Sequence, residues 1–195
     1  MGLTQIAASI LTSILVGALT RGTKRTYSLL ALSMLALYWF QPVVPLRFFD
    51  FWFPSLSIAL VIITWFITSQ PGVWKSRQNL IGLFITIGVI TIVDLSRYIL
   101  PEPIITATVP PQFIQYLIFF AATILITLSF TFISRRFAFA LPLFTILLVT
   151  ILLILKSPTL SLQTSIFFRT LANRPIETAS ALDLRWLGFS YISFR

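Results

Sequence analysis

Residues 113–133 read FIQYLIFFAATILITLSFTFI, a stretch without a charged side chain that ends just before Arg135 and Arg136. An α-helix needs about 20 predominantly apolar residues to cross the hydrocarbon core of a bilayer. This stretch is long enough to do so. It therefore predicts a membrane-spanning helix, and similar stretches on both sides of it indicate the fold of the whole chain.

The composition indicates the same class of protein. Of the 195 residues, 57% are hydrophobic and only 10% are charged. Soluble domains carry about 25% charged residues, so this chain cannot cover a globular surface with polar side chains. It also contains no Cys and no His, which excludes disulfides, thiolate metal ligands and imidazole chemistry. We predict an integral membrane protein that uses no metal and no cofactor.

Six apolar stretches are each predicted to form a transmembrane helix. They cover residues 3–20, 27–40, 54–68, 80–100, 113–133 and 137–155. Pro54 is expected in the first turn of the third helix, where its missing N–H costs nothing. The aromatic residues around Asp50, just before this helix, are expected to form a patch at the level of the lipid headgroups. The predicted fold is all-α and polytopic, with a six-span region over residues 1–156.

The distribution of basic residues predicts the orientation of these spans. A net charge of +9 could indicate nucleic acid, but the basic residues lie in short clusters between apolar stretches, which argues against that partner. Most of those in short loops lie in the first, third and fifth loops: Arg21, Lys24, Arg25, Lys75, Arg77, Arg135 and Arg136. The positive-inside rule then places loops 21–26, 70–78 and 134–137 in the cytoplasm and the N-terminus outside. We expect a bacterial plasma membrane protein with membrane lipids as partners.

The chain becomes more polar after the sixth apolar stretch. Within residues 157–182, one helical face carries the apolar residues Leu160, Leu162, Ile166, Phe167, Leu171 and Ala172. This pattern predicts an interfacial amphipathic helix. Asn173 and Pro175 are expected to start a further helix as its cap and first turn. A final helix is predicted to begin near Asp183, whose carboxylate suits the positive end of a helix dipole.

The last residues, Arg185-Trp-Leu-Gly-Phe-Ser-Tyr-Ile-Ser-Phe-Arg195, resemble the segment that opens the core of the membrane-bound O-acyltransferase (MBOAT) family. The family pattern is an apolar pair, Gly, an apolar residue, Ser, Tyr, two variable residues and Phe. It is matched in order by Leu187, Gly188, Phe189, Ser190, Tyr191 and Phe194. Trp186 stands where many relatives carry Pro. The resemblance implies transfer of an acyl group from a thioester or carrier donor to a hydroxyl of a polysaccharide, lipid or envelope polymer.

The catalytic residues of that family have no counterpart in this chain. Family members are taken to use a membrane-embedded His on the acceptor hydroxyl, and neutral imidazole is a base suited to pH 7. Here His is absent, and the two Asn residues, Asn79 and Asn173, lie outside any matching motif. We therefore expect residues 183–195 to be the start of a truncated core helix in an N-terminal portion that is inactive alone.

A partner would have to complete such a protein, either the missing C-terminal part or a separate membrane chain. The alternative is a small multi-span structural or assembly subunit without catalysis. Transport is less well supported, because no pair of broken apolar segments and no chain of buried charges is found in the sequence.

Asp94 is a second candidate site, because it lies inside the fourth predicted span. An ionisable side chain costs about 3 kcal/mol at the centre of a membrane helix, so such a residue is a functional candidate by default. Arg97 follows three positions later, on the same helical face. We predict a local ion pair between Asp94 and Arg97 near the outer membrane surface, with a proton relay or substrate site as the alternative.

Overall fold

The computed structural model describes residues 3–70, 72–137, 139–187 and 189, and in these residues the chain is helical with no strand. Its α-helices are α1 (Leu3–Leu19), α2 (Gly22–Phe40), α3 (Phe49–Thr68), α4 (Arg77–Ile99), α5 (Phe113–Arg136), α6 (Ala140–Lys156) and α7 (Pro158–Leu171). Two short 3₁₀ helices cover Val73–Lys75 and Ala181–Leu184. The predicted all-α class is confirmed.

Three of these helices are long and apolar enough to cross a membrane: Phe49–Thr68, Arg77–Ile99 and Phe113–Ser134. A fourth is added only if α6 and α7, which meet at a bend of 96°, are counted together as one broken span. α1 is apolar but shorter, and α2 carries Lys24 and Arg25 in its first turn. The number of six spans is therefore not confirmed, although a helix is present at each of the six predicted positions.

Consecutive helices from α2 to α5 run in opposite directions. The Tyr27 hydroxyl donates to the carbonyl of Gln78 at 3.2 Å, which joins the start of α2 to the start of α4. At the other end, Tyr38 of α2 and Ser55 of α3 share a hydrogen bond of 2.8 Å. Acidic residues lie at one of these ends only. All five are found there, Asp50, Asp94, Glu102, Glu177 and Asp183, together with basic residues such as Arg47, Arg97, Lys156 and Arg169. The other end, which we call the basic end, carries Arg21, Lys24, Arg25, Lys75 and Arg77 and no acidic residue.

Two buried clusters hold the helices together. The first joins α2, α3, α4 and α5 through Met34, Tyr38, Phe51, Ile58, Val89, Ile90, Val93 and Tyr116. The second joins the α2–α3 connection to the C-terminal segment through Val44, Leu46, Phe53 and Leu184. By contrast, most apolar side chains of α5 and α6 are exposed, including Leu125, Phe132 and Ile146. Such helices suit a lipid environment, since water would disfavour an apolar surface of this extent.

The start of α3 differs from the prediction. The helix begins at Phe49, so Pro54 lies in its second turn and removes the helical hydrogen bond to the carbonyl of Asp50. The aromatic residues around Asp50 do not form a patch at the surface. Phe51 and Phe53 are buried in the two core clusters, because the helix begins early enough to turn them towards the protein.

The helix α7 confirms a helical element after residue 157, but its faces are reversed relative to those of a soluble helix. Its buried residues are Ser161, Ser165 and Arg169, and its apolar residues Phe167 and Leu171 are exposed. The polar stripe thus packs against protein, and the apolar side chains remain available to lipid.

The prediction that Asn173 starts another helix is wrong, because this residue ends α7. It adopts a left-handed conformation with φ of 50°, which Asn tolerates better than most residues. The N–H of Arg174 donates to the carbonyl of Arg169 at 2.9 Å, and the N–H of Asn173 donates to that of Thr170 at 3.2 Å. These two bonds form a Schellman motif, which terminates a helix.

Candidate functional site

The side chain of Gln41, the residue that caps the end of α2, binds the main chain of the C-terminal segment at Arg185 and Leu187. Its amide nitrogen donates to the carbonyl of Arg185 at 2.5 Å, and its amide oxygen accepts from the N–H of Leu187 at 3.2 Å. Gln41 is only 3% exposed. One primary amide thus satisfies both an acceptor and a donor of a chain segment. We call this pair of bonds the Gln41 clasp.

Trp186, between the two clasped residues, docks on the start of α3. Its indole N–H donates to the hydroxyl of Ser57 at 2.8 Å. Its ring is stacked on Phe53, with centroids 5.0 Å apart and planes 11° apart, and it also contacts Phe189 at 4.5 Å. A large aromatic ring with its polar atom satisfied is a strong anchor. The segment is therefore held through both its main chain and its side chain.

A buried ion pair holds the residues immediately before the clasp. Arg169 of α7 donates through Nε to the Asp183 carboxylate at 2.7 Å, and the hydroxyl of Ser165 donates to the same oxygen at 2.6 Å. The guanidinium also donates to Thr178 at 2.6 Å and to the carbonyl of Pro175 at 3.1 Å. Arg169 thus holds the segment between the end of α7 and Asp183 against α7.

The local charges decide the protonation of Asp183. Burial raises the pKa of this carboxyl, but hydrogen bonds from Arg169, Ser165 and the N–H of Ser180 have the larger combined effect, and the pKa is lowered below its ordinary value. The carboxylate is therefore ionised at neutral pH. A buried charge is tolerated here because it is both paired and hydrogen-bonded.

The final helix predicted to begin near Asp183 is not continuous in the described residues, where a 3₁₀ helix covers only Ala181–Leu184. Ser180 caps the 3₁₀ helix Ala181–Leu184, and Asp183 completes a capping box. Arg185 is then extended, with φ of −71° and ψ of 91°. Of the motif residues, Leu187 and Phe189 are described, whereas Gly188, Ser190, Tyr191 and Phe194 lie outside the described residues. The clasp therefore acts on the first residues of the motif.

The predicted ion pair between Asp94 and Arg97 does not form. Asp94 is fully buried, and neither of its carboxylate oxygens has a hydrogen-bond partner in the part of the chain that is described. Arg97 instead donates to the carbonyl of Pro110 at 2.6 Å. The reason is that the connection between α4 and α5 folds back over the end of α4 and offers Arg97 an acceptor that sequence spacing could not show.

Other polar groups surround this region at the end opposite the basic end. The hydroxyls of Thr91 and Tyr116 share a hydrogen bond of 2.7 Å. The Asp50 carboxylate accepts from the N–H of Thr108 at 2.6 Å and from its hydroxyl at 2.8 Å. Asp50 thus fixes the α4–α5 connection to the start of α3.

Within the described ranges, no three His, Cys, Asp or Glu side chains come together as a metal site would require.

Sequence reasoning missed the clasp and the ion pair. Gln41 directly follows the second apolar stretch and Arg169 lies in the segment 157–182, and neither position alone indicates a buried partner. A signal was present in each case, since a Gln and an Arg are each unusual in apolar surroundings. Their partners lie 144 and 14 residues away, and no spacing rule connects them.

No protein-family model matches this chain, and no curated protein or solved structure is significantly similar to it. Its class therefore rests on its own features. The apolar helices indicate a membrane protein, and its described part combines a helical bundle with a C-terminal segment that is clasped to it.

Proposed function

We propose that this chain is the N-terminal membrane region of an O-acyltransferase of the MBOAT type, and that it is inactive until the rest of the catalytic core joins it. The Gln41 clasp is the observation that carries the proposal. It holds the main chain where the MBOAT-like motif begins, and Trp186 anchors the same residues to α3. A segment fixed in this way is positioned to start a core that packs on the bundle.

In the proposed reaction, an acyl group moves from a thioester or carrier donor to a hydroxyl of a polysaccharide, lipid or envelope polymer. The acceptor oxygen loses its proton as it attacks the acyl carbonyl, and the thiol leaves. A general base must take that proton near neutral pH, and this chain has no imidazole to do so. The base would come from the following part of the protein or from a partner membrane chain. In this proposal, the described residues bind the start of the catalytic core and position it.

The proposal includes six crossings of a bacterial plasma membrane, with α7 at its outer surface. The N-terminus is outside, and loops 21–26, 70–78 and 134–137 are cytoplasmic. The clusters of Lys and Arg in these loops support this orientation, because such clusters are retained on the cytoplasmic side.

The decisive experiment begins with the source DNA beyond codon 195, which is sequenced in all three frames. The proposal expects an apolar reading frame with a His inside a membrane segment. The whole frame is then expressed in membranes, and transfer of a radiolabelled acyl group is measured. Replacement of the membrane His by Ala should abolish transfer. A stop codon, with no frame that encodes further membrane helix, would instead favour the structural or assembly subunit.

The clasp itself is tested with Gln41→Leu, which removes both of its hydrogen bonds. Gln70→Leu is the matched control, since Gln70 is exposed at the other end of α3. Because each of the two bonds contributes about 1 kcal/mol, trypsin cleavage after Arg185 should be about thirtyfold faster in Gln41→Leu alone, and acyl transfer by the whole protein should fall in parallel. Faster cleavage with unchanged transfer would show that the clasp has no part in the function.

A further inference from the structure

A groove of about 700 Å³ lies between α2, α3 and α4, and the proposed acyl transfer makes no use of it. Its walls are mainly apolar and include Leu30, Met34, Leu37, Ile58, Ile62 and Leu83. Along α2 the lining extends from Thr23 to Leu37, which is roughly 21 Å at a rise of 1.5 Å per residue. One leaflet of a bilayer has a hydrocarbon depth of about 15 Å. The groove is thus long enough for an extended acyl chain.

One end of the groove is polar, and we call it the mouth. It is lined by Thr23, Thr26, Tyr27, Gln78 and Asn79, which belong to the first turns of α2 and α4. The mouth therefore lies at the basic end of the bundle. An occupant that fits both parts must be amphiphilic, with a polar headgroup at the mouth and a chain between the helices.

The charge around the mouth selects the sign of that headgroup. Lys24 lies between Thr23 and Thr26 on α2, and Arg77 immediately precedes Gln78 on α4; both are exposed. Every acidic residue of the chain is at the opposite end of the bundle. Clusters of Lys and Arg at a membrane surface attract anionic lipids, and no nearby carboxylate competes for these cations.

We propose that this groove binds an anionic phospholipid, with one acyl chain between α2, α3 and α4 and the phosphate against Lys24 and Arg77. The site does not depend on the acyl-transfer proposal, because none of Gln41, Arg185 and Leu187 lines the groove. Ser57, which accepts the hydrogen bond from Trp186, also lines the groove. A bound lipid of this kind would hold α2 against α4 at the basic end, where Tyr27 and Gln78 already share a hydrogen bond.

Gly82 and Gly88, both on α4, provide a matched pair of variants. Gly82 lines the groove and Gly88 does not. A Cβ added at either position meets no other atom within 4 Å, so neither backbone opposes a larger side chain. The ring in Gly82→Phe should occupy the groove, whereas the ring in Gly88→Phe should leave it open.

The test uses the full chain, purified in detergent and incubated with dioleoylphosphatidylglycerol or dioleoylphosphatidylcholine, with bound lipid counted by native mass spectrometry. We expect one tightly held phosphatidylglycerol, loss of that lipid in Gly82→Phe and retention in Gly88→Phe. The pair Lys24→Gln and Arg77→Gln should weaken it about tenfold, since each cation adds to the attraction. Lys156→Gln, at the end of the bundle opposite the mouth, should leave binding of the lipid unchanged. Glycerol phosphate, which has no acyl chain, should not displace the lipid.

Two results would overturn the proposal. One is equal retention of the anionic and the zwitterionic lipid by the unaltered chain, which would leave no role for Lys24 and Arg77. The other is unchanged retention in Gly82→Phe, which would place the lipid elsewhere. If Gly82→Phe fails to fold, as judged by its helical circular dichroism, the charge variants decide the question alone.

Discussion

Asp183 is the residue whose loss should cost the most stability. Replacement by Ala leaves the buried guanidinium of Arg169 without its charged partner, and breaking one side of a buried pair costs about 3–5 kcal/mol. We expect this loss in the free energy of unfolding, measured by SDS titration in dodecylmaltoside. Glu177→Ala, at an exposed acidic residue, is the control and should change it little. Equal effects of the two variants would contradict a structural role for the pair.

The same carboxylate predicts how stability depends on pH. Because the pKa of Asp183 is lowered by folding, its contribution is fully present above the unfolded pKa of about 3.9 and is lost as the pH falls through the lower, folded pKa. Stability should thus be unaffected by this group between pH 7 and about 5 and should fall below about 4.

The control for this pH dependence is the double variant Arg169→Met with Asp183→Leu, in which both charges are replaced by apolar groups of similar size. A buried pair replaced in this way often costs little stability. The acid-dependent loss should be smaller in the double variant than in the unaltered chain. An identical loss in both would assign the acid transition to carboxyl groups other than that of Asp183.

Among the elements, the connection between α4 and α5 is held by α3. Asp50→Ala removes the acceptor for both the N–H and the hydroxyl of Thr108, whereas Thr108→Val removes only the hydroxyl. We expect destabilisation of about 3 kcal/mol for the first and about 1.5 kcal/mol for the second, since a hydrogen bond to a carboxylate contributes about 1.5–3 kcal/mol and the first variant removes two of them.

The order of these two effects is the test, measured by the same SDS titration. Thr12→Val is the control, because the Thr12 hydroxyl is exposed and bonds only within its own helix. A Thr108→Val variant that is as unstable as Asp50→Ala would show that the backbone N–H contributes nothing.

Elements were predictable from sequence where a local pattern determines them, and not where a distant partner does. The apolar stretch over 113–133 predicts α5 closely, because a membrane helix needs little beyond its own length and hydropathy. The early start of α3 was not predictable, since Asp50 is fixed by Thr108 at a distance of 58 residues. For the same reason, spacing alone suggested an ion pair between Asp94 and Arg97, although the carbonyl of Pro110 is the acceptor that Arg97 uses.

At the scale of the whole molecule, the basic clusters at one end of the bundle predict a topology that can be tested directly. The chain has no Cys, so a single introduced thiol can be labelled without background. Gln70→Cys and Glu177→Cys place exposed thiols at the basic and the acidic end. With an impermeant maleimide on intact cells, we expect labelling of Glu177→Cys only, because positive loops remain cytoplasmic.

Permeabilised cells supply the control for this experiment, since both thiols should then react. Labelling of Gln70→Cys in intact cells would reverse the orientation. Labelling of both variants from outside would show that the chain crosses the membrane an even number of times between the two positions, which contradicts the predicted topology.

The Gln41 clasp has one more consequence, which concerns how this protein can change in evolution. Both of its partners are main-chain groups, the carbonyl of Arg185 and the N–H of Leu187. Every amino acid offers the carbonyl, and every amino acid except Pro offers the N–H. Substitutions at these two positions are therefore tolerated by the clasp, whereas insertion or deletion of one residue beside Trp186 would shift its ring away from Ser57. The clasp therefore constrains the number of residues at this point but not the side chains at the two clasped positions.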